Sequence, residues 1–307
     1  MKQINMDQGM NTLMKKYGNY LIFIILIIVC SMLSPAFLTV KNVTSVLRQI
    51  SITGILAFAE MLLIISGYID LSLGAVVAFS GMVSVNAYLS TGSYLMTFLT
   101  AITVAVICCS CSGFLVAKIK LPAFIATMAM DSIARGACYM YTNGQPIYKI
   151  GDYGKISSGY IGPVPIPVVF LMVIAVIVWI LLSKTTFGRN IYAIGGNQDA
   201  ANASGINVKR TTILVYAVAG ILTGVAAVLQ IARVNSGLPD TAMNYHGDAI
   251  ASTVIGGTSF TGGIGTAPGT FIGSVIMGII SNILNLTGVQ SYVPVSYTHL
   301  RAHETSA

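Results

Sequence analysis

Long apolar stretches recur along this sequence, and short polar intervals separate them. Several stretches run for about 20 residues, the length that a helix needs to cross the hydrocarbon core of a bilayer. Only 8% of the residues are charged, whereas a soluble domain carries roughly 25%. So few charges cannot cover a water-facing surface, which argues against a soluble protein with a large core. The pattern predicts an all-α integral membrane protein, folded as a polytopic helical bundle rather than a β-barrel.

Nine apolar segments can be traced, and residues 1–293 are expected to form a single transmembrane domain. The segments cover residues 18–33, 50–66, 71–89, 94–117, 122–141, 164–182, 212–231, 248–256 and 269–286. Residues 40–48 are predicted to form a short amphipathic linker. The first segment lacks a small-residue cleavage site with a soluble domain behind it, so we expect a retained membrane helix rather than a signal peptide.

Basic residues concentrate in the intervals that should face the cytoplasm. Residues 184–210 carry four basic side chains against one acid, Asp199, and residues 1–17 are also basic. The positive-inside rule places both intervals on the cytoplasmic side, and counting the passes of the chain gives the same answer. The formal net charge of +7 therefore indicates loops beside anionic membrane lipid, not a surface for nucleic acid.

A short capped helix is predicted inside the basic interval, at residues 197–204. Asn197 can cap its N-terminus, and Asp199 falls in the first turn, where the helix dipole favours an acid. Gly205 supplies a left-handed C-terminal cap. Ala200 and Ala201 keep one face low enough to enter the groove of a partner. An ordinary capped loop helix has the same pattern, so the pattern alone leaves a docking role open.

Two apolar segments end in glycine-rich interruptions. Residues 66–74 and 256–269 each follow an apolar run and precede a helix rich in small residues, which makes a weak internal repeat of parallel sense. Unwound backbone is tolerated at membrane depth only where it lines a cavity or is buried in protein, so the interruptions indicate a translocation pathway. The glycines also allow close helix packing, and the two interpretations do not exclude each other.

The candidate pathway residues are polar or conformationally free and lie in or near these interruptions. They are Glu60, Asp70, Ser72, Asn143, Gly256, Gly257, Thr258 and Ser259. For Glu60 and Asp70, a buried structural hydrogen bond is the alternative role. Asp131 and Arg135 are four residues apart and are predicted to pair on one helix face.

Cysteine and histidine residues show no pattern typical of a metal or redox site. The five cysteines lie in apolar stretches, where packing is the simplest role. His299 and His303 have the spacing of a helical metal pair but no third ligand. We therefore expect no metal ion and no cofactor.

The polar tail, residues 294–307, is similar to translated adapter sequence. We therefore expect it to be non-native and a tenth membrane helix to be missing.

Several stretches together resemble the ribose/galactose-type sugar permeases of ABC importers. They are residues 67–74 (GYIDLSLG), 122–136 (PAFIATMAMDSIARG), 142–146 (TNGQP), 187–209 (FGRNIYAIGGNQDAANASGINVK) and 249–265 (AIASTVIGGTSFTGGIG). The loop helix resembles the E-A-A-x-x-x-G motif that docks into the ATPase subunit, with Asp199 where glutamate is usual. Tyr68 also departs from the family, which more usually has a second glycine there.

The resemblance implies the transmembrane permease subunit of a monosaccharide importer in the bacterial inner membrane. Such a subunit pairs with a second permease copy, a cytoplasmic ATPase and an extracytoplasmic sugar-binding protein. The chain has no G-x-x-x-x-G-K-[ST] phosphate loop and is not expected to be an enzyme. The implied ATPase-coupling residues are Gly195, Gly196, Asn197, Asp199, Ala200, Ala201 and Gly205. The alternatives are a related permease for branched-chain amino acids or nucleosides, and a secondary transporter that works alone.

Overall fold

The computed structural model describes residues 23–288 of the chain. The expectations for residues 1–17 and 294–307 lie outside the described residues. Within them, the chain is almost entirely helical, and its two strands are only two residues long each. The expected all-α fold is therefore confirmed.

Twelve α-helices follow one another in the described part of the chain. They are α1 (Phe23–Leu33), α2 (Val40–Ile65), α3 (Leu73–Thr91), α4 (Tyr94–Phe114), α5 (Ala123–Thr142), α6 (Lys155–Ser158), α7 (Ile166–Lys184), α8 (Thr186–Gly196), α9 (Gln198–Ala203), α10 (Val208–Val234), α11 (Tyr245–Ile255) and α12 (Ala267–Leu286). A π-helical turn, Leu115–Ile119, extends α4, and a 3-10 turn, Gly151–Gly154, precedes α6. The antiparallel strands β1 (Tyr160–Ile161) and β2 (Val164–Pro165) precede α7.

Six of these helices are long and apolar enough to cross a membrane: α2, α3, α4 with its π turn, α7, α10 and α12. They coincide with six of the nine apolar segments found in the sequence. The other three segments correspond to α1, α5 and α11. The chain is therefore a polytopic helical membrane protein.

Helix α2 forms the centre of the bundle. In its most apolar window 89% of the residues are buried, against 28% for α7. The exposed side chains of α7 are large and apolar, including Val176, Ile177 and Trp179. Such a surface suits contact with lipid, because the acyl chains of a membrane are as apolar as these side chains.

The linker expected at residues 40–48 is wrong, because these residues form the first turns of α2. Thr39 caps the helix, its Oγ1 accepting a hydrogen bond from the Asn42 amide at 3.4 Å. The polar residues that suggested a linker have distant partners. Arg48 donates to the Ser158 carbonyl at 3.0 Å and lies 5.1 Å from the centre of the Tyr160 ring. These contacts allow polar side chains in a continuous helix.

Candidate coupling site

Helix α9 has the caps that the sequence predicts. Asn197 Oδ1 accepts a hydrogen bond from the Ala200 amide at 2.9 Å. At the other end Gly205 has φ +85°, and the Ile206 amide donates to the Ala201 carbonyl at 3.1 Å. With the Gly205 amide bonded to the Asn202 carbonyl, this is a Schellman motif. The local sequence therefore suffices to start and stop the helix.

Helix α8 directly precedes α9 and was missed in the sequence. Thr185 caps it, because its Oγ1 accepts a hydrogen bond from the Gly188 amide at 3.1 Å. Ile191 and Ile194 are buried three residues apart on one face. A capping threonine followed by this spacing is a recognisable helix signal. The basic interval is thus two short helices joined at Asn197, not a loop with one helix.

The structure corrects the expectation that Ala200 and Ala201 share an exposed face. Ala201 is only 4% exposed and packs within the chain, whereas Asp199 and Ala200 are exposed. Consecutive helical residues point about 100° apart, which separates the two alanines. Gly196, Asn197 and the left-handed Gly205 are also exposed. The surface available to a partner therefore includes Ala200 but not Ala201.

Gly195 brings the end of α8 against both interruptions of the membrane segments. A Cβ atom at this position would collide with the carbonyl oxygen of Ile65 and the amide nitrogen of Gly263. Those two groups bond to each other, the Gly263 amide donating to the Ile65 carbonyl at 2.8 Å. Ile65 ends α2 at the first interruption, and Gly263 lies in the second. Three separate segments thus meet at one backbone contact, which only a glycine at position 195 permits.

Side-chain hydrogen bonds join the same short helices to each interruption. Tyr192 of α8 donates its hydroxyl to the Gly265 carbonyl at 2.7 Å. Gln198 of α9 donates its amide to the Tyr68 hydroxyl at 3.1 Å. The Tyr68 hydroxyl also lies 3.1 Å from Thr212 Oγ1 at the start of α10. Tyr68, the residue that departs from the family pattern, is therefore a link between α9, α10 and the first interruption.

The first interruption is held by three fully buried residues, Glu60, Asp70 and Ser72. Glu60 Oε1 accepts a hydrogen bond from the Asp70 amide at 3.1 Å. Asp70 Oδ1 accepts from the Ser72 amide at 2.7 Å and the Ser72 hydroxyl at 2.6 Å, which satisfies the start of α3. One oxygen of each carboxyl, Glu60 Oε2 and Asp70 Oδ2, has no partner among the described residues. In this conformation the three side chains stabilise the interruption.

The second interruption combines close packing with a tight loop. A Cβ atom at Gly256 would stand 2.6 Å from the Gly269 carbonyl carbon, so the glycines let α11 and α12 approach closely. Gly257 has φ +90°, and the Ser259 amide donates to the Ile264 carbonyl at 3.0 Å. Thr258 is buried, and its hydroxyl has no partner in the described chain. The glycines of this segment therefore allow close packing, and the backbone between α11 and α12 is not a continuous helix; a role in translocation stays a prediction.

Asn143 does not lie with the other candidate pathway residues. It ends α5 in a left-handed conformation, with φ +50°, and its side chain is exposed. Helix α5 begins at Ala123, beside the cavity under α9. Its 20 residues correspond to about 30 Å. Asn143 is therefore near the opposite end of the bundle from the two short helices.

The predicted pair of Asp131 and Arg135 is wrong. Arg135 donates instead to the carbonyls of Pro239 and Thr241, at 2.8 and 2.9 Å. Between residues 23 and 288, the ion pair found is Lys155 with Asp152. Both bonds come from Nη1, because this guanidinium nitrogen carries two N–H donors. Arg135 thereby holds the segment between α10 and α11 against α5.

A cavity of about 790 Å³ lies under α9. It is bordered by α9, by the first interruption and by the turn between α4 and α5. Its lining includes Tyr68, Lys120, Gln198, Asp199, Asn202 and Thr212. Helix α9 is consequently held by the buried Ala201 and by the Gln198 link, and it borders this open space along one side.

Comparison with known proteins agrees with this architecture. A family model described as "Branched-chain amino acid transport system / permease component" matches residues 42–300. The chain belongs to this family of transport permeases. It is similar to the ribose import permease protein RbsC of Bacillus subtilis, with 39% identity over 91% of the chain and 88% of the relative. The resemblance seen in the sequence motifs is thereby confirmed.

Two further relatives carry other sugars in their names. The D-allose transport system permease protein AlsC of Escherichia coli is 36% identical, over 90% of the chain and 86% of the relative. The L-arabinose transport system permease protein AraH of Escherichia coli is 33% identical, over 90% and 85%. No solved structure matches the chain.

Proposed function

We propose that this chain is the transmembrane subunit of an ABC importer for a monosaccharide, either a ribose-like pentose or a hexose. The observation that carries the proposal is the attachment of α8 and α9 to both interruptions, through Gly195, Tyr192 and Gln198. The names of the relatives, which refer to ribose, allose and arabinose, support the substrate class.

The proposed mechanism is transmission of a rigid movement from an ATPase to the membrane helices. The ATPase subunit binds the exposed face of α9, including Asp199 and Ala200. ATP-driven closure of the ATPase moves α9 and α8 as one unit, because Asn197 joins the end of α8 to the start of α9. Their contacts then displace the Ile65–Gly263 backbone pair, so that α2 and α11 change their separation. The interrupted segments absorb this change, since neither of them is itself part of a continuous helix.

The passage itself needs hydrogen-bonding groups rather than charge, because a monosaccharide is neutral. Thr258 and Ser259 supply hydroxyls in the second interruption. The proposed assembly also contains a second permease copy and an extracytoplasmic sugar-binding protein, which selects the sugar. We place the assembly in the bacterial inner membrane, with α8, α9 and the N-terminus on the cytoplasmic side.

Reconstitution tests this function. The full chain, its ATPase and its binding protein are incorporated into vesicles, and uptake of radiolabelled ribose, allose, arabinose and leucine is measured with and without ATP. We expect ATP-dependent uptake of at least one sugar. Uptake of leucine alone would favour the branched-chain amino acids named in the family description. Sugar uptake without ATPase and ATP would show a secondary transporter instead.

The link from α8 to the second interruption gives a sharper test. Replacing Tyr192→Phe removes the hydroxyl that donates to the Gly265 carbonyl. We expect the number of sugar molecules imported per ATP to fall several-fold, while the ATPase still binds. Tyr148→Phe is the matched control, because Tyr148 is 68% exposed. An unchanged transport ratio for Tyr192→Phe would argue against transmission through α8.

A further inference from the structure

A group of basic side chains stands at the junction of α4 and α10, beside the cavity under α9. Lys118, Lys209 and Arg210 line a cavity of about 340 Å³, together with Asn207, Ile213 and Leu214. We call these three cations the basic cluster. No acidic residue lines this cavity. The cluster therefore presents three positive charges to a space large enough for a small anionic group.

Neither an ion pair with an acidic side chain nor the helix dipole compensates these three positive charges in the described part of the chain. The ion pair formed in the described part of the chain, Lys155 with Asp152, does not involve them. Lys209 and Arg210 lie in the first turn of α10, which contains no acid. The helix dipole makes that turn positive, so cations are unfavourable there. A bound anion would interact favourably with the cluster and with the helix terminus together.

Exposed apolar side chains begin one helical turn from the basic cluster. Leu214 follows Arg210 by four residues on α10 and is 43% exposed. Phe114 precedes Lys118 by four residues on α4 and is 49% exposed. Basic groups with apolar surface directly beside them match the boundary between headgroups and acyl chains in a membrane. A phosphate dissolved in water would gain nothing from this apolar surface.

We propose that the basic cluster binds the phosphate group of an anionic phospholipid, with an acyl chain lying against Phe114 and Leu214. This site rests on the membrane fold and does not depend on which solute the permease carries. It would hold the cytoplasmic ends of α4 and α10 beside α9 by a lipid bridge.

Native mass spectrometry of the full-length chain in detergent, titrated with palmitoyl-oleoyl phosphatidylglycerol, tests the site. The double variant Lys118→Gln/Arg210→Gln is expected to bind this lipid about 30-fold more weakly. Each basic residue near a membrane surface contributes about fivefold to the affinity for an anionic lipid. The control Lys41→Gln/Lys149→Gln also removes two exposed cations, and we expect less than a twofold change. Elution volume and helical circular dichroism establish that each variant is folded.

Two further titrations identify the source of the phosphate. Phosphatidylcholine is expected to bind equally to wild type and to the double variant. Glycerol 1-phosphate, which has the phosphate without acyl chains, is expected to bind at least 100-fold more weakly than phosphatidylglycerol. Equal affinity for glycerol 1-phosphate would mean a site for a soluble phosphate and would overturn the proposal. Unchanged phosphatidylglycerol binding by the folded double variant would overturn it as well.

Discussion

At the scale of single residues, the buried carboxyl of Glu60 tests how the first interruption is held. Glu60→Gln keeps an oxygen that can accept from the Asp70 amide, whereas Glu60→Leu leaves that buried amide without its acceptor. An unsatisfied buried donor costs about 1–3 kcal/mol. We therefore expect Glu60→Leu to lower the thermal stability of the purified permease and Glu60→Gln to retain it. If both variants lose the same stability, the charge of Glu60 matters more than this hydrogen bond.

Adjacent glycines at the end of α8 offer a second comparison at residue scale. An alanine at position 195 collides with the Ile65 carbonyl and the Gly263 amide, whereas one at position 196 has open space around it. Gly195→Ala is expected to cost about 1–3 kcal/mol of stability and to reduce ATP-driven uptake. Gly196→Ala should stay within about 0.5 kcal/mol. Thermal unfolding of the isolated permease measures both, without interference from ATPase binding. Equal stability of the two variants would contradict the packing described for Gly195.

At the scale of elements, the two alanines of α9 separate folding from docking. Ala200→Arg adds a long cation to the exposed face. We expect this variant to fold, and we expect the amount of ATPase that co-purifies with it to be at least tenfold lower than with the wild type. Ala201→Arg places a charge at a buried position, so the yield of folded permease should fall even without the ATPase. Full retention of the ATPase by Ala200→Arg would show that docking uses another surface.

The elements also show which features a sequence reveals. The caps of α9 were predictable because Asn197 and Gly205 act on groups within a few residues of themselves. The membrane segments were predictable because their signal is continuous apolar length. Burial of Ala201 and the beginning of α2 at Val40 were not, because they depend on contacts between distant parts of the chain. Arg48, for example, bonds to a carbonyl 110 residues away.

Within the candidate site, sequence motifs marked most of the residues but not their connections. Gly195 was assigned to ATPase coupling by resemblance, yet its contact with Ile65 and Gly263 exists only in the folded chain. Tyr192 was not singled out, and an isolated tyrosine carries no signal of its own. Arg135 was paired with its helical neighbour because spacing along one helix is visible in sequence, whereas the carbonyls of Pro239 and Thr241 are not.

At the scale of the whole molecule, we expect α4 and α10 to stay packed together while the interrupted segments shift. Glycines allow this pair to pack closely: a Cβ atom at Gly224 would stand 2.6 Å from Ile102 Cα on α4. Gly224→Ala is therefore expected to separate the helices and cost about 1–3 kcal/mol. Gly136→Ala on α5 has free space and should be neutral or stabilise by up to about 1 kcal/mol. Thermal unfolding in detergent compares them. A Gly224→Ala variant as stable as Gly136→Ala would mean that α4 and α10 separate easily. The two helices could not then be the fixed support against which α8 and α9 move the interruptions.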